Sequence, residues 1–575
     1  MDVSRILPRT ALSLLAVAAA APDSLHAQTR VPHADNCDAG LTVPQGFCAS
    51  IFADRVGHAR HLTVAANNVV YVNTLRKRQE SDTPAHGFLI ALQDASGSGH
   101  ASLRRNFGPT PEQGGAGGTG IALYHGALYA EDGDRIERYA LAAGSIVAQG
   151  SPEVVVAGLP LGGDHPMHPF VIDADGNLYV DVASATNSCQ TRNRQLRSPG
   201  IRPCTELETR GGIWRYDANK LNQKFSPAAR YATGIRNADG IAVAPGGHGI
   251  YATEHGRDQL RENWPALYRP EEEATLPAEE LLQVSQGEDF GWPECYFDAR
   301  QNRLVLAPEY GGNGGKAVGV CQDKQPPLAA FPAHWAPNDL VIYSGNAFPE
   351  RYRGGAFIAF HGSWNRAPYP QGGYNVVYQP LSAGRDQCEV FADGFAGAVK
   401  EPGRAAHRPA GVALGPDGAL YVSDDANGRI YRIVYHADKG GSAGSADFTH
   451  CPGPDAPAGA IGTAGSGAPA ALPVPQGASA QQLAWGDEIY HGKVKGAPCA
   501  GCHGAEGSGS EQGPSLTSRS WLWSDGSYEG IRKTIADGVP HPRKFTEPMP
   551  ALGGAQLDEN ETRAVAAYVW ALGHR

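Results

Sequence analysis

The sequence predicts an all-β six-bladed propeller followed by a small all-α domain, and three observations lead to this fold class. A short turn followed by an alternating apolar strand recurs six times between about residues 43 and 435. Residues 440–477 are mostly Gly, Ala, Ser and Pro, a composition typical of a flexible linker. Residues 478–575 carry helix-capping residues and apolar side chains at helical spacing.

Residues 1–27 are predicted to be a signal peptide. Arg5 and Arg9 precede an apolar run at residues 11–21, and Ala27 ends a small-residue cleavage site. The run is too short to span a bilayer, and we expect no transmembrane segment after the signal is removed. The net charge of −11, with no basic block, argues against nucleic acid as a partner.

The repeat that predicts the propeller is a Gly, Asn or Asp turn followed by alternating apolar residues. Its copies lie at residues 67–72, 126–130, 175–180, 249–252, 355–359 and 417–422. Such turns are strong hairpin signals, and six copies about 50 to 110 residues apart indicate six blades with long insertions. The alternative is a β-sandwich or several small β domains. Because no linker interrupts the copies, we assign residues 28–439 to one six-bladed propeller.

The linker at residues 440–477 separates this propeller from residues 478–575. It contains few large apolar residues to bury, so it is expected to behave as a flexible tether. A tether of this kind keeps the two domains at high effective concentration.

Residues 499–503 read Cys-Ala-Gly-Cys-His, the pattern by which haem c is attached covalently. Two thiols add to the two vinyl groups on one porphyrin edge, and the next imidazole reaches the iron. The pattern therefore predicts Cys499 and Cys502 as attachment sites and His503 as the proximal iron ligand. The alternative is a zinc or redox Cys-x-x-Cys, but zinc requires two further ligands nearby, and no cysteine follows Cys502.

Met549 is the predicted second iron ligand. It is the one methionine after the haem motif, and it lies between Pro548 and Pro550. The prolines favour a stiff extended segment that presents the thioether, and thioether ligation raises the reduction potential of the haem. The alternative is that Met549 only packs, which leaves His541 or an open position at the iron.

Two capping boxes predict the helices around this motif. Ser479 with Gln482 begins a helix that runs towards residue 491, and Asp558 with Glu561 begins the last helix. Apolar residues at helical spacing in the last helix predict a packed core.

With Gly513-Pro514 after the motif, residues 478–575 resemble a class I cytochrome c domain. The resemblance implies that the carbonyl of Pro514 orients the imidazole of His503. The fold class in full is therefore an all-β six-bladed propeller followed by a small all-α cytochrome c domain.

The other eight cysteines are expected to form disulfides, because the predicted export takes the chain to an oxidising compartment. Sequence alone permits 105 connectivities for eight cysteines. Pairing near neighbours predicts Cys37–Cys48, Cys189–Cys204, Cys295–Cys321 and Cys388–Cys451. Haem attachment to an exported chain also points to the periplasm, so the protein is predicted to be periplasmic or secreted.

Four stretches of the predicted propeller contain residues that suit a ligand site over the central channel. They are residues 163–165 (Gly-Asp-His), 234–237 (Gly-Ile-Arg-Asn) with 254–256 and 291–293, 361–366 (His-Gly-Ser-Trp-Asn-Arg), and 408–412 (Arg-Pro-Ala-Gly-Val). In this order they resemble the soluble pyrroloquinoline quinone (PQQ)-dependent sugar dehydrogenases, including the sorbosone and aldose-sugar dehydrogenase branch. The resemblance covers most of residues 43–435.

The resemblance implies a PQQ site and a catalytic base. PQQ carries three carboxylates, and Arg236, Asn237, Arg366 and Arg408 are implied to bind it, the arginines as forked cationic donors. His165 is implied to take the proton of the sugar hydroxyl, a role that suits an imidazole near neutral pH.

The resemblance also implies a calcium ion held by the backbone carbonyls of Gly256 and Arg257, because calcium prefers hard oxygen ligands. Three residues depart from the family's usual ones. His168 replaces an arginine, Ser184 replaces an acid found in some members, and His255 replaces a glutamine of the best-known branch.

The two halves together predict a periplasmic PQQ-dependent dehydrogenase of a sugar or related alcohol or aldehyde. Its electrons would pass to its own haem c, and then to a downstream redox protein or oxidase. One alternative is a propeller that binds or hydrolyses a carbohydrate or lactone, with an independently working cytochrome. Another is a non-catalytic propeller that docks the cytochrome to a larger complex.

Overall fold

The structure is a computed structural model. It describes residues 37–75, 87–110, 113–142, 144–247, 249–366, 369–382, 387–401, 404–436 and 472–574, the last range without 493, 495–496, 498, 505–506, 508, 510–512 and 546–547. The predicted signal peptide and most of the predicted linker lie outside these residues, so both stay predictions.

Six β-sheets confirm the predicted six-bladed propeller. The first strand of the chain, β1 (Phe47–Ala53), belongs to the sixth blade. The first three blades are formed by β2 (Ala59–Val64), β3 (Val69–Thr74), β4 (Leu89–Gln93) and β5 (Leu103–Phe107); by β6 (Ile121–Tyr124), β7 (Ala127–Asp132), β8 (Arg135–Ala140) and β9 (Glu153–Ala157); and by β10 (Phe170–Ile172), β11 (Asn177–Val182), β12 (Gly212–Asp217) and β14 (Arg230–Thr233). A short strand, β13 (Gln223–Lys224), extends the second blade.

The remaining blades follow in chain order. They are formed by β15 (Ile241–Val243), β16 (Ile250–Glu254), β17 (Glu279–Val284) and β20 (Ala329–Phe331); by β21 (Pro337–Ile342), β22 (Ala356–Phe360), β23 (Asn375–Gln379) and β24 (Glu389–Ala392); and by β25 (Pro409–Leu414), β26 (Leu420–Asp424), β27 (Ile430–Tyr435) and β1. A separate hairpin, β18 (Cys295–Asp298) with β19 (Arg303–Leu306), lies in the insertion of the fourth blade.

The six copies of the repeat become the second strands of the six blades. These strands are β3, β7, β11, β16, β22 and β26, and nearly every residue in them is buried. Each of these strands is covered by neighbouring blades on both faces, which explains why apolar residues dominate the repeat. The irregular spacing of the copies reflects the insertions between blades.

The ring is closed by pairing between the two ends of the propeller. β1 pairs antiparallel with β27, from Phe47 opposite Tyr435 to Ala53 opposite Ile430. Beside this seam the Phe47 ring makes edge-on contacts with Phe348 and Phe391. The seam therefore joins two segments from opposite ends of the propeller.

The helices lie in the insertion of the fourth blade and after the linker. They are α1 (Leu260–Asn263), α2 (Pro270–Glu273), α3 (Ala480–Tyr490), α4 (Cys499–His503), α5 (Tyr528–Asp537) and α6 (Glu559–Leu572). Both predicted capping boxes are present, from Ser479 with Gln482 at α3 and from Asp558 with Glu561 at α6. Within the described residues, none of the helices has the length and apolar character needed to cross a bilayer.

Three predicted disulfides are confirmed. They are Cys37–Cys48, Cys189–Cys204 and Cys295–Cys321. Cys388 is also disulfide-bonded, and its predicted partner Cys451 lies outside the described residues.

Candidate functional site

The C-terminal unit contains a cavity beside the haem motif. Including its open mouth, the cavity encloses about 1180 Å³, and Cys499, Cys502, His503 and Met549 all line it. Its walls are mostly apolar and include Tyr490, Leu516, Trp521, Leu522, Trp523, Ile531, Ile535, Val539, Val565 and Val569. A large apolar cavity suits a flat macrocycle, whereas zinc needs only four ligands at about 2.0–2.3 Å.

His503 is oriented by one hydrogen bond. Its Nδ1 lies 2.9 Å from the carbonyl oxygen of Pro514, and because a carbonyl only accepts, Nδ1 carries the proton. Burial lowers the pKa of His503, so the ring is neutral and Nε2 keeps the lone pair that a metal ligand needs. The Pro514 contact implied by the cytochrome resemblance is thus present.

Backbone pairing holds Met549 at the cavity. Its N–H donates to the carbonyl of Val539 at 3.1 Å, and its carbonyl accepts from the Val539 N–H at 2.7 Å. Residue 538 is a glycine with φ 68°, and a Cβ at this position would lie 2.6 Å from the Met549 carbonyl oxygen. Because glycine has no Cβ, the two backbone segments can pair this closely. His541, the alternative ligand, is exposed and is not among the residues that line the cavity. The structure therefore brings Met549 to the cavity.

The four predicted haem residues fit a haem c. α4 places Cys499 and Cys502 three residues apart, on one face of a single helical turn. Burial raises the pKa of the Cys499 thiol to about 12. His503 and Met549 complete the set as imidazole and thioether, the pair that favours ferrous haem. The covalent bonds themselves stay a prediction.

In the propeller, the largely buried carboxylate of Asp258 is the centre of a polar group. Its Oδ2 accepts from Arg236 at 3.0 Å and from Arg194 at 3.1 Å, and its Oδ1 accepts from Asn365 at 2.8 Å. Burial by itself raises the pKa of Asp258, but the guanidinium groups of Arg236 and Arg194 outweigh it and lower the pKa. Asp258 is therefore a stable anion, and its hydrogen bonds connect loops from three blades.

Arg236 is fully engaged inside this group. Its Nε donates to the Asn187 carbonyl at 3.1 Å, and Nη1 donates to the carbonyls of His255 at 3.3 Å and Gly256 at 3.2 Å. Its Nη2 donates to the Asn187 side chain at 3.1 Å and to Asp258 at 3.0 Å. Because all five N–H groups have acceptors, a PQQ carboxylate would have to replace one of them.

His165 has the tautomer that a general base needs. Its Nδ1 lies 3.0 Å from the Ser184 carbonyl, so Nδ1 carries the proton and Nε2 is unprotonated. No described residue donates a hydrogen bond to Nε2. Burial, followed by the charges of Arg236 and Arg194, lowers the pKa of His165 well below its ordinary value, so the ring stays neutral at physiological pH.

Gly256 and Arg257, the predicted calcium ligands, already bond to protein partners. The Gly256 N–H donates to Glu279 at 3.0 Å, and its carbonyl accepts from Arg236. The side chain of Arg257 pairs with Glu309 at 2.6 Å. The Gly256 carbonyl would have to release Arg236 to bind calcium, so calcium stays a prediction.

Arg408 lies beside the loop that carries Asn365. Its Nε donates to the His361 carbonyl at 3.2 Å and its Nη2 to the Gly362 carbonyl at 2.9 Å. The guanidinium lies 5.6 Å from the centre of the Tyr374 ring. No described residue accepts from Nη1, so Arg408 keeps a donor for an anionic ligand.

Arg366 and Asn237 occupy different surroundings. Arg366 donates to the carbonyls of Pro370 at 3.0 Å and Ala333 at 2.9 Å, and burial lowers its pKa to about 10. Asn237 is 3% exposed and follows Arg236 directly, and its N–H points to Glu254 at 3.4 Å. Within the described part of the chain, its side-chain amide has no hydrogen-bond partner, which leaves it available to a ligand.

Two of the three departures from the resembled family, Ser184 and His255, lie beside the Asp258 group. Ser184 contacts the predicted base through its carbonyl and, at 3.1 Å, through its hydroxyl. His255 donates from Nε2 to the Pro337 carbonyl at 3.1 Å, and burial lowers its pKa. His168 is 1% exposed, and its backbone N–H donates to Glu131 at 2.8 Å.

Sequence reasoning missed Asp258, Arg194 and Asn187, the residues that organise the group. The only indication of Asp258 in the sequence was its position directly after Gly256 and Arg257, the predicted calcium ligands. Arg194 and Asn187 lie in the insertion that contains the Cys189–Cys204 disulfide, where no motif points to them. Arg194 also pairs with Asp164, next to His165, at 2.9 Å.

Comparison with known proteins assigns the propeller. Residues 41–436 match the profile of the TrAA12-like family. The chain belongs to this family. Residues 486–569 match a second profile, described as cytochrome C oxidase, cbb3-type, subunit III, so the TrAA12-like propeller is joined to a cytochrome c domain.

Three curated relatives match parts of the chain. A PQQ-dependent pyranose dehydrogenase of Coprinopsis cinerea is 26% identical over 265 residues, which are 39% of this chain and 34% of the relative. An uncharacterized protein of Borreliella burgdorferi is 27% identical over 218 residues, 37% of this chain and 51% of the relative. The cbb3-type cytochrome c oxidase subunit FixPc of Rhizobium leguminosarum is 40% identical over 77 residues, 13% of this chain and 26% of the relative. The chain thus spans between about a quarter and a half of the length of these relatives.

Two solved structures share the fold of the TrAA12-like propeller. A family AA12 enzyme of Trichoderma reesei has a TM-score of 0.54 at 18% identity, with 69% of this chain and 98% of that chain covered. The holo form of the pyranose dehydrogenase PQQ domain of Coprinopsis cinerea has a TM-score of 0.53 at 18% identity, with 68% and 97% covered.

Proposed function

We propose that this chain is an exported PQQ-dependent dehydrogenase that oxidises a pyranose or related sugar and passes the electrons to its own haem c. The observation that carries the proposal is His165, a neutral imidazole with an open Nε2 beside the Asp258 group of a TrAA12-like propeller. The names of the Coprinopsis cinerea relative and structure support PQQ and a pyranose. The three disulfides support export to an oxidising compartment.

The protein's own residues supply binding, orientation and one proton transfer. Nε2 of His165 accepts the proton of the sugar hydroxyl, while the Ser184 carbonyl fixes the tautomer. Arg408 and Asn237 offer donors to the carboxylates of PQQ, and Arg236 offers one if it releases a present partner. When bound, PQQ supplies the two-electron acceptor for the hydride of the sugar carbon.

The decisive experiment follows the haem spectrum of purified holoprotein supplied with PQQ and calcium. A panel of pyranoses is added, and reduction of the haem is expected only with a sugar substrate and with PQQ present. Omitting PQQ, omitting calcium, and omitting sugar are the matched controls.

Two results would contradict the proposal. If PQQ does not bind, the propeller belongs to the sugar- or lactone-binding class instead. If sugar is oxidised with a dye acceptor but the haem stays oxidised, the cytochrome works with another partner.

A further inference from the structure

The haem-attachment helix lies directly against the propeller. Gly501, between the two cysteines of α4, is buried, and a Cβ there would lie 2.9 Å from Cε3 of Trp364 and 3.2 Å from its carbonyl oxygen. Trp364 belongs to the loop after β22 and precedes Asn365. Because a side chain at position 501 would clash, a glycine is what lets α4 approach this closely.

A second contact lies on the segment that follows Met549. A Cβ on Gly554 would lie 3.4 Å from Nε2 of Gln259, and one on Gly553 would lie 3.7 Å from Sγ of Cys499. Gln259 is 5% exposed, and among the described residues that line the haem cavity it is the one from the propeller. Two glycines of the haem unit thus meet two side chains of the propeller.

Both propeller side chains connect directly to the proposed active site. Trp364 is bonded through its peptide to Asn365, whose side chain donates to Asp258 at 2.8 Å. Gln259 accepts from Arg194 at 3.2 Å, and Arg194 pairs with Asp164, the neighbour of His165. The turn that carries Cys499 and Cys502 is therefore linked to the Asp258 group through Trp364 and Gln259.

We propose that Trp364 and Gln259, with Gly501 and Gly554, form a docking contact through which electrons cross to the haem. This deepens the proposed function and rests on it. Each sugar oxidised yields two electrons and two protons, and the haem carries one electron at a time. The contact is therefore used twice per sugar, and an external one-electron oxidant, such as ferricyanide or a redox protein, reoxidises the haem between the two transfers. Trp364 and Gln259 are positioning residues, because they hold the haem near the site without touching substrate.

Gly501→Leu in the full-length holoprotein tests the docking contact. Leucine favours helix more than glycine does, so α4 is preserved while the side chain pushes against Trp364. Stopped-flow reduction of the haem by sugar is expected to slow by about tenfold or more, because small displacements strongly reduce a rate set by distance. Sugar oxidation with a small dye acceptor is expected to stay at the wild-type rate.

Hydrogen exchange gives a readout that does not depend on activity. In Gly501→Leu, the amides of residues 257–262 and 361–366 are expected to exchange faster than in the wild type, because the haem unit no longer covers them. Trp364→Ala is the second variant, and it is expected to slow haem reduction similarly, with partial recovery in Trp364→Phe. Val474→Ala is the matched control, because Val474 is 42% exposed and is not among the described residues that line the haem cavity.

The outcomes separate this inference from the proposed function. Unchanged haem reduction and unchanged exchange in Gly501→Leu, with haem still attached, would overturn the docking contact. A wild-type protein whose haem is not reduced by any sugar would overturn the proposed function. The exchange comparison would still decide whether the two units dock.

Discussion

The haem cavity and the Asp258 group differ in how each would hold its proposed cofactor. The cavity has apolar walls, and its polar anchors are few, with His503 oriented by one hydrogen bond. The Asp258 group consists of charged and amide side chains that already bond one another. Every N–H group of the Arg236 guanidinium already has an acceptor. The first site selects its ligand by shape and covalent chemistry. At the second, a ligand that binds Arg236 must replace an existing hydrogen bond.

This difference explains why a local sequence motif points to the residues of the first site but not to Asp258, Arg194 and Asn187, which organise the second. A covalent haem needs two cysteines and a histidine at fixed positions in one short stretch of chain, here residues 499–503. A quinone carboxylate needs an arginine with an N–H group that has no other acceptor. Whether an arginine has one depends on every hydrogen-bond acceptor around it. Four predictions test the comparison, from the largest effect to the smallest.

Replacing both haem cysteines, Cys499→Ser with Cys502→Ser, is expected to abolish covalent haem completely. The thioether bonds cannot form without the thiols, and the apolar cavity alone holds haem only reversibly. The measurement is haem staining after denaturing electrophoresis, or extraction with acidic acetone. Stain that persists in the double variant would contradict the assignment.

Met549→Ala is the comparison variant for that experiment. It should keep covalent haem, lose the thioether–iron bond and lower the reduction potential, because a thioether favours the ferrous state. A spectrum and a potential identical to the wild type would show that Met549 only packs.

His165→Gln is expected to slow sugar oxidation by roughly 10²–10⁴-fold while PQQ stays bound. Because the pKa of His165 lies well below its ordinary value, the neutral base is present above that lowered pKa. The acid side of the pH profile in the wild type is therefore expected well below pH 6.5. Steady-state rates with a dye acceptor across pH measure both effects.

The control for this prediction is His125→Gln, which changes an exposed histidine in the turn between β6 and β7. It is expected to leave the rate and the pH profile unchanged. A His165→Gln variant with the full wild-type rate would return His165 to a structural role.

Arg408→Gln is expected to weaken PQQ binding by about 10- to 150-fold, with excess PQQ partly restoring the rate. The estimate follows from one charged hydrogen bond worth about 1.5–3 kcal/mol. Titration of PQQ into the apoprotein, followed by fluorescence, measures the change. Arg429→Gln is the control, because Arg429 lies in the same blade but pairs with the surface residue Asp54. Equal affinities for the wild type and Arg408→Gln would remove Arg408 from the cofactor site.

Local patterns predicted the fold well. The six turn-and-strand copies became the second strands of six blades. A turn followed by an alternating strand is specified by residues two to four positions apart, so each copy could be read from its own sequence. The capping boxes at Ser479 and Asp558 are present for the same reason. Near-neighbour pairing of cysteines also held for the three disulfides whose partners are both described.

The polar group could not be predicted, because its organisation depends on loops from different blades. The sequence points to Gly256 and Arg257 as ligands. In the structure the Arg257 side chain pairs with Glu309, and the next residue, Asp258, pairs with Arg194 and Arg236. The contact between Gly501 and Trp364 joins residues 137 positions apart in two separate units. No spacing within either unit carries that information.

The seam between β1 and β27 ties the shape of the whole ring to the last strand made. Ser50 contacts Arg432, 382 positions later, so the ring stays open until nearly all of the propeller has been synthesised. Until β27 has formed, β1 has no partner strand. Until β27 pairs with the β1 of its own chain, its edge is open, and the β1 of a second chain could pair with it. A chain shortened at its beginning, without residues 37–53, would keep that edge permanently and would be prone to aggregate, although every residue of the haem cavity and of the Asp258 group would still be present.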